Sequence, residues 1–219
     1  MTESPRVPAP PLRTLAVLAT CLVAAVAGAL LARHWLARPS AAPATETAAV
    51  YAEPRPLPEV ALVAHDGSRF DRARFLGRYT LVLFGFTNCP DLCPTTLVTL
   101  AEVERRLVDL PAAQRPAVVM VSVDPHRDTP EVLGRYVPHF DPAFVGVTGE
   151  DGAIARLAQA LGAAYQKGAE VDGSYAVDHT AALFLIDPEA RLAAVFPTPH
   201  VAATIAADYR RILAAPGGG

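Results

Sequence analysis

After residue 58, segments whose apolar residues have the spacing of a β-strand alternate with segments whose apolar residues have the spacing of a helix. In "EVALVAHDGSRFD" apolar residues alternate with polar ones on both sides of Asp66-Gly67, which predicts a β-hairpin, because Asp-Gly readily adopts the positive φ values of a tight turn. The next segment, 79–87 ("YTLVLFGFT"), is apolar at nearly every position, as in a strand that is covered on both faces. A helix is predicted over 94–108, where leucines and a valine recur at helical spacing.

The same alternation of strand and helix continues to the end of the chain. We expect strands over 116–124 and 143–149, helices over 129–140 and 151–165, a hairpin formed by "TAALFLID" and "RLAAVFP", and a closing helix. Strands that alternate with helices pair in parallel through right-handed crossovers. The predicted fold class is therefore α/β, a thioredoxin-like fold with a central mixed sheet flanked by helices.

An uncharged stretch from Thr14 to Ala32 precedes this domain. Its length matches the roughly 20 residues that a helix needs to cross a bilayer, so we predict one N-terminal transmembrane helix at 14–33. The alternative, a cleaved signal peptide, usually has a shorter apolar region of about 7–15 residues. Two arginines lie on each side of the stretch, so the charges do not decide its orientation.

The expected organisation follows from these assignments. We predict a short cytoplasmic segment (1–13), the anchor (14–33), a flexible linker rich in Pro, Ala and Thr (34–56), a thioredoxin-like domain (57–214) and a disordered tail (215–219). Of the 19 Lys and Arg four lie before residue 51, and of the 22 Asp and Glu two do, so the remainder carries a net charge near −5. This balance argues against a nucleic-acid partner, which needs clustered positive charge.

Two cysteines four positions apart, Cys89 and Cys93, carry the most distinctive chemistry. They directly follow the predicted strand 79–87, and functional groups gather at the carboxyl ends of parallel strands. A helix that starts near Cys93 would favour thiolates through its dipole and free N–H groups. A disulfide staple, a redox-active disulfide and a metal site all remain open from this pair alone.

His179 is the third candidate, although it is remote in sequence. It directly precedes a strand that we predict to be antiparallel to its neighbours, and such a strand begins at the edge where parallel strands end. His179 should therefore reach the two cysteines. Two thiolates and one imidazole suit copper, as Cu(I) or Cu(II), whereas a structural zinc site would need a fourth protein ligand.

Three motifs in this order, "NCPDLCP", "VSVDPHRDTP" and "VDHTAALFLID", resemble those of the Sco/SenC family of membrane-tethered, thioredoxin-like copper proteins. The resemblance covers roughly residues 57–214. It implies copper bound by Cys89, Cys93 and His179. Asp124, at the carboxyl end of the strand predicted over 116–124, and Asp178, next to His179, are our candidates for supporting residues.

The resemblance also implies a biological setting. It implies a copper chaperone in the assembly of cytochrome c oxidase, which delivers copper to the binuclear copper site of subunit II or maintains the thiols of that site. It places the globular domain on the periplasmic side of an inner membrane, or in an equivalent compartment, with a thiol reductase as a further partner. A classical enzyme is not expected, but a metal-independent thiol–disulfide oxidoreductase stays open as the alternative function.

Overall fold

The computed structural model describes residues 12–36, 42–170 and 175–215. The chain divides into two units, Met1–Ser40 and Ala41–Gly219. The first contains helix α1 (Leu12–Leu36), which covers the segment predicted to be an anchor. Within the described part of the chain, however, no helix combines the length and the apolarity needed to span a membrane, so the predicted transmembrane helix at 14–33 is not confirmed. The expected cytoplasmic segment 1–13 and tail 215–219 fall mostly outside the described residues.

The second unit is built on an eight-stranded mixed sheet. Its strands, in chain order, are β1 (Ala49–Pro56), β2 (Ala61–Ala64), β3 (Arg69–Asp71), β4 (Thr80–Gly85), β5 (Ala117–Ser122) and β6 (Val145–Gly149), and then β9 (Leu183–Ile186) and β10 (Arg191–Phe196). They lie side by side in the order β1-β10-β9-β4-β5-β6-β2-β3. Strands β4, β5 and β6 are parallel, while β9 is antiparallel to β4. Strands β7 (Tyr165–Lys167) and β8 (Val177–His179) form a separate antiparallel ribbon.

Helices cover both faces of this sheet. They are α2 (Leu92–Arg106), α3 (Pro130–Tyr136), α4 (Asp151–Leu161) and α5 (Ala202–Ala214). All six residues of β4 are buried, because side chains of alternating residues enter two hydrophobic cores. One core contains residues of α2 and α5, and the other contains residues of α4. The thioredoxin-like architecture predicted from the alternation of elements is confirmed.

Three strands differ from the sequence-based expectation. Strand β1 occupies residues 49–56, within the expected linker, and pairs with β10 at the sheet edge. An edge strand needs few buried side chains because backbone hydrogen bonds hold it, so its composition resembles that of a linker. The ribbon of β7 and β8 was not expected either, since each strand has only three residues.

Buried Asp208 of α5 holds the segment that leads into β1. Its carboxylate accepts hydrogen bonds from the backbone N–H groups of Glu46, Thr47 and Ala48, at 2.7, 2.9 and 3.0 Å. Arg211, one turn further along the helix, also donates to this carboxylate. The domain therefore begins before residue 49, earlier than the predicted boundary at 57.

Candidate metal centre

The two cysteines lie directly after β4, where the chain turns into α2. The backbone N–H of Cys89 donates to the carbonyl of Phe86, and Asp91 precedes the first helical residue, Leu92. Cys89 therefore lies in the turn before the helix and Cys93 lies in its first turn. The N–H of Cys93 donates to the sulfur of Cys89 at 3.4 Å, so the turn, and not a shared helix face, brings the pair together.

The imidazole of His179 reaches the same edge of the sheet from the opposite direction. Strand β9 pairs antiparallel with β4, and its first residue, Leu183, lies opposite Leu83 near the carboxyl end of β4. His179 ends the short strand β8 just before β9. Its Nε2 lies 3.4 Å from the sulfur of Cys93, across 86 positions of sequence. The expected convergence is found.

The three donor atoms form one compact group. The two sulfurs and an imidazole nitrogen all lie within 4.8 Å of one another. Cys89 and His179 are half-buried, while Cys93 is only 2% exposed, and both thiols are free. This geometry allows a single ion to contact all three side chains.

Two neighbours fix the orientation of the His179 ring. Its Nδ1 lies 3.1 Å from the carbonyl oxygen of Thr180. A carbonyl can only accept, so Nδ1 carries the proton and the lone pair of Nε2 faces Cys93. The ring also packs edge-to-face on Phe86, with 5.9 Å between ring centroids. The imidazole thus presents the atom that a metal would bind.

Burial raises the pKa of the Cys93 thiol, and its hydrogen bond with Cys89 raises that pKa further. The helix N-terminus was expected to favour a thiolate here, but loss of hydration acts in the opposite direction at Cys93, because it penalises the charged form. A bound cation reverses this balance, since a coordinating thiol is deprotonated.

Gly85, the last residue of β4, makes room for the sulfur of Cys93. A Cβ at this position would lie 2.9 Å from that sulfur and 3.2 Å from the methyl group of Met120. Sequence reasoning missed this residue. The available signal was a glycine within an otherwise large and apolar strand, which often marks a close approach.

The two predicted supporting residues lie in different environments. Asp124 is fully buried and accepts hydrogen bonds from the hydroxyl of Tyr175 and the guanidinium of Arg127. Asp178 is exposed on β8. It lines a cleft of about 770 Å³ that also borders Cys89 and His179 and gives access to them from outside. A supporting role for each residue stays a prediction.

Comparison with known proteins points to one family. A family model described as SCO1/SenC matches residues 54–214. The human mitochondrial protein SCO2 homolog is 35% identical over 70% of this chain, and the match covers 58% of the human protein, less than two thirds of its length.

Two solved structures extend the comparison. ScoI of Bradyrhizobium japonicum with copper bound is 33% identical, with a TM-score of 0.64 over 71% of this chain and 98% of that one. Apo Sco1 of Thermus thermophilus is 36% identical, with a TM-score of 0.67 over 78% of this chain and 98% of that one.

Proposed function

The chain belongs to the SCO1/SenC family, and on this basis we propose that Cys89, Cys93 and His179 bind one copper ion and pass it to an acceptor protein. The observation that carries the proposal is the convergence of the three donor atoms within 4.8 Å. The structure of the related Bradyrhizobium protein with copper bound supports the choice of metal.

The donor set fits a soft ion in both chemistry and distance. Thiolates select soft metals and imidazole suits copper. Three donors that bind one ion at roughly 2.0–2.3 Å in a trigonal arrangement lie about 4 Å apart. The Cys93 sulfur and Nε2 of His179 are already this close, at 3.4 Å, and separations of up to 4.8 Å within the group would have to shorten by at most about 1 Å. The hydrogen bond from His179 to the Thr180 carbonyl adds the outer support that metal-binding histidines usually have.

The unequal burial of the thiols suggests how copper leaves. Cys89 borders the cleft, while Cys93 lies beneath it. An acceptor thiolate that enters the cleft forms a bond to copper as the bond to Cys89 breaks, and Cys89 then takes up a proton. Cys93 and His179 release the ion in later exchanges of the same kind. No change of oxidation state is needed.

We place the acceptor site in subunit II of cytochrome c oxidase, as family membership implies, and the copper-binding domain outside the cytoplasm. The human relative is a mitochondrial protein, which supports a role in the assembly of a respiratory enzyme. An oxidising compartment would convert the two thiols to a disulfide, so the proposal includes a thiol reductase as a further partner.

A second candidate function is metal-independent thiol–disulfide exchange. The observation that favours it is the contrast between a half-buried Cys89, whose sulfur accepts the Cys93 N–H, and a buried Cys93. Cys89 could attack a substrate disulfide, and Cys93 could then resolve the mixed disulfide. Turnover of a disulfide substrate by metal-free protein, unchanged in His179→Ala, would favour this function over copper transfer.

Anaerobic copper titration of the full-length chain tests the main proposal. We expect about one copper per wild-type chain, sulfur-to-copper charge-transfer absorption in the Cu(II) form, and an affinity loss of at least about 100-fold in His179→Ala. Loss of an outer-shell partner alone costs about 10–100-fold, and loss of a ligand should cost more. His139→Ala, which removes an exposed histidine, is the matched control. Equal affinity and equal spectra in the two variants would refute the assignment.

A further inference from the structure

The loop after β5 contacts both segments that carry the candidate ligands. The loop includes Asp124, Arg127 and Asp128, and both aspartates are fully buried. A buried carboxylate is retained only where hydrogen bonds or charges compensate for its lost hydration. Some of the compensating groups belong to the loop itself and to β5, and the others come from the segments that lead to Cys89 and to His179.

The first set of contacts holds the His179 segment. The hydroxyl of Tyr175 donates to Oδ1 of Asp124 at 2.5 Å. The guanidinium of Arg127 stacks on the Tyr175 ring, 3.8 Å from its centroid, and donates to the Tyr175 carbonyl at 3.2 Å. Arg127 is itself bound to Oδ2 of Asp124. Tyr175 lies four residues before His179, so these contacts fix the point from which β8 starts.

The second set of contacts holds the Cys89 segment. Asp128 accepts hydrogen bonds from the N–H of Thr87 at 3.0 Å and from the Thr87 hydroxyl at 2.5 Å. Ser122, at the end of β5, donates to the same carboxylate at 2.6 Å. Thr87 lies two residues before Cys89, so Asp128 fixes the start of the turn that carries this thiol.

Phe86 adds a contact between Arg127 of the loop and the imidazole. The guanidinium of Arg127 lies 5.8 Å from the centroid of the Phe86 ring, and the same ring packs edge-to-face on His179. Two features therefore hold the imidazole in place. Its ring packs on Phe86, and the segment that leads into β8 is bound to the loop through Tyr175.

We propose that Asp124 and Asp128 form a brace that sets the distance between the imidazole of His179 and the thiols, with Tyr175 and Thr87 as its positioning residues. This inference deepens the proposed function and rests on it for the copper measurements. The brace contacts no copper. It holds the β7–β8 ribbon against the turn after β4, so that the three donors are already close before an ion arrives. Preorganisation of this kind raises affinity because less ordering remains to be done on binding.

Tyr175→Phe tests the part of the brace that holds His179. The change keeps the ring on Arg127 and removes only the hydroxyl that donates to Asp124. Hydrogen bonds to charged groups are among the stronger ones in proteins. We therefore expect the backbone amides of Asp178 and Thr180, which bond across the ribbon, to exchange about tenfold faster in metal-free protein, while amides of β4 exchange as in the wild type. Copper affinity should fall about tenfold, with weaker nitrogen hyperfine coupling in the Cu(II) spectrum.

Two further variants make the test specific. Tyr51→Phe removes a tyrosine hydroxyl that accepts a hydrogen bond from exposed Arg55 in β1, and it should change neither measurement. Thr87→Val keeps the side-chain shape and removes the hydroxyl bond to Asp128. It should speed exchange of the Cys89 amide, which bonds to the Phe86 carbonyl, and leave Asp178 and Thr180 unchanged.

The outcomes separate the brace from the proposed function. Wild-type exchange at Asp178 and Thr180 in Tyr175→Phe would overturn the brace, whatever the copper result. Faster exchange at all amides, β4 included, would also overturn it, because the hydroxyl would then support only overall stability. If wild-type protein binds no copper, the proposed function fails, and the exchange data on metal-free protein still decide the brace.

Discussion

Replacement of Gly85 by alanine should destabilise the domain, because the added methyl group would crowd the Cys93 sulfur. The added Cβ would lie 2.9 Å from this sulfur and 3.2 Å from the methyl group of Met120, where ordinary contacts are 3.4–4 Å. Cys93 is 2% exposed and Met120 is fully buried, so neither side chain can move into solvent. The sulfur must move by about half an ångström within a packed core.

The expected magnitude follows from two opposing effects. Overpacking a core by one methyl group costs about 1–3 kcal/mol. Alanine also restricts the unfolded chain relative to glycine, which returns about 0.4–1 kcal/mol. The free energy of unfolding should therefore fall by about 1–2 kcal/mol. If the free energy of unfolding falls by about 2 kcal/mol per M urea, the midpoint of urea unfolding should be about 0.5–1 M lower in Gly85→Ala than in the wild type.

Urea unfolding of a double-mutant cycle measures this effect. In a Cys93→Ala background the sulfur is gone, so Gly85→Ala should cost at least about 0.5 kcal/mol less than in the wild type. Gly152→Ala is the matched control. Its Cβ would meet only the end of the flexible Arg156 side chain, at 3.9 Å, so it should leave stability unchanged or raise it.

Copper titration of the Gly85→Ala variant completes the test. A displaced sulfur should lower copper affinity about tenfold if Cys93 is a ligand, because ligands held out of position lose binding energy. The packing argument would be refuted if Gly85→Ala were as stable as the wild type. It would also be refuted if Gly85→Ala lowered the free energy of unfolding equally in the wild-type and Cys93→Ala backgrounds.

Two further predictions concern carboxyl groups away from the site, and urea unfolding across a pH series measures both. Burial raises the pKa of Asp208, but backbone N–H groups of 46–48 and Arg211 outweigh this and lower it to about 2, below the ordinary 3.8. Its stabilising contribution is therefore present above pH 4 and lost between about pH 4 and 2, and Asp208→Asn should destabilise the neutral protein and remove this dependence. Burial raises the pKa of Glu104 to about 7, so its contribution is present below about pH 4.5 and lost as the pH rises through 7. Glu104→Gln should be more stable than the wild type at pH 8, and equal stability there would contradict this reasoning.

Local periodicity was sufficient to predict the main elements of the fold. The fully apolar strand that became β4 and the helical spacing in α2 are properties of short segments, so the sequence displays them directly. The hairpin of β2 and β3 was predicted from its Asp-Gly turn for the same reason. Strand β1 escaped prediction, because an edge strand is held mainly by backbone hydrogen bonds to a distant partner, which leave no pattern in its own residues.

The candidate site also has features that the sequence could predict and features that it could not. Cys89, Cys93 and His179 could be selected from residue chemistry, their order along the chain and the predicted direction of one strand. The clearance at Gly85 and the two contacts of the loop after β5, through Tyr175 and Thr87, could not.

The order of strands and helices and the identity of three metal-binding candidates follow from the residues alone, since both depend on residue type and local spacing. The distances between the three donors, the depth at which the Cys93 thiol is buried and the side chains that hold the donors in place emerge only in the folded domain. These quantities depend on contacts between segments tens of residues apart, and such contacts arise from the packing of the whole domain.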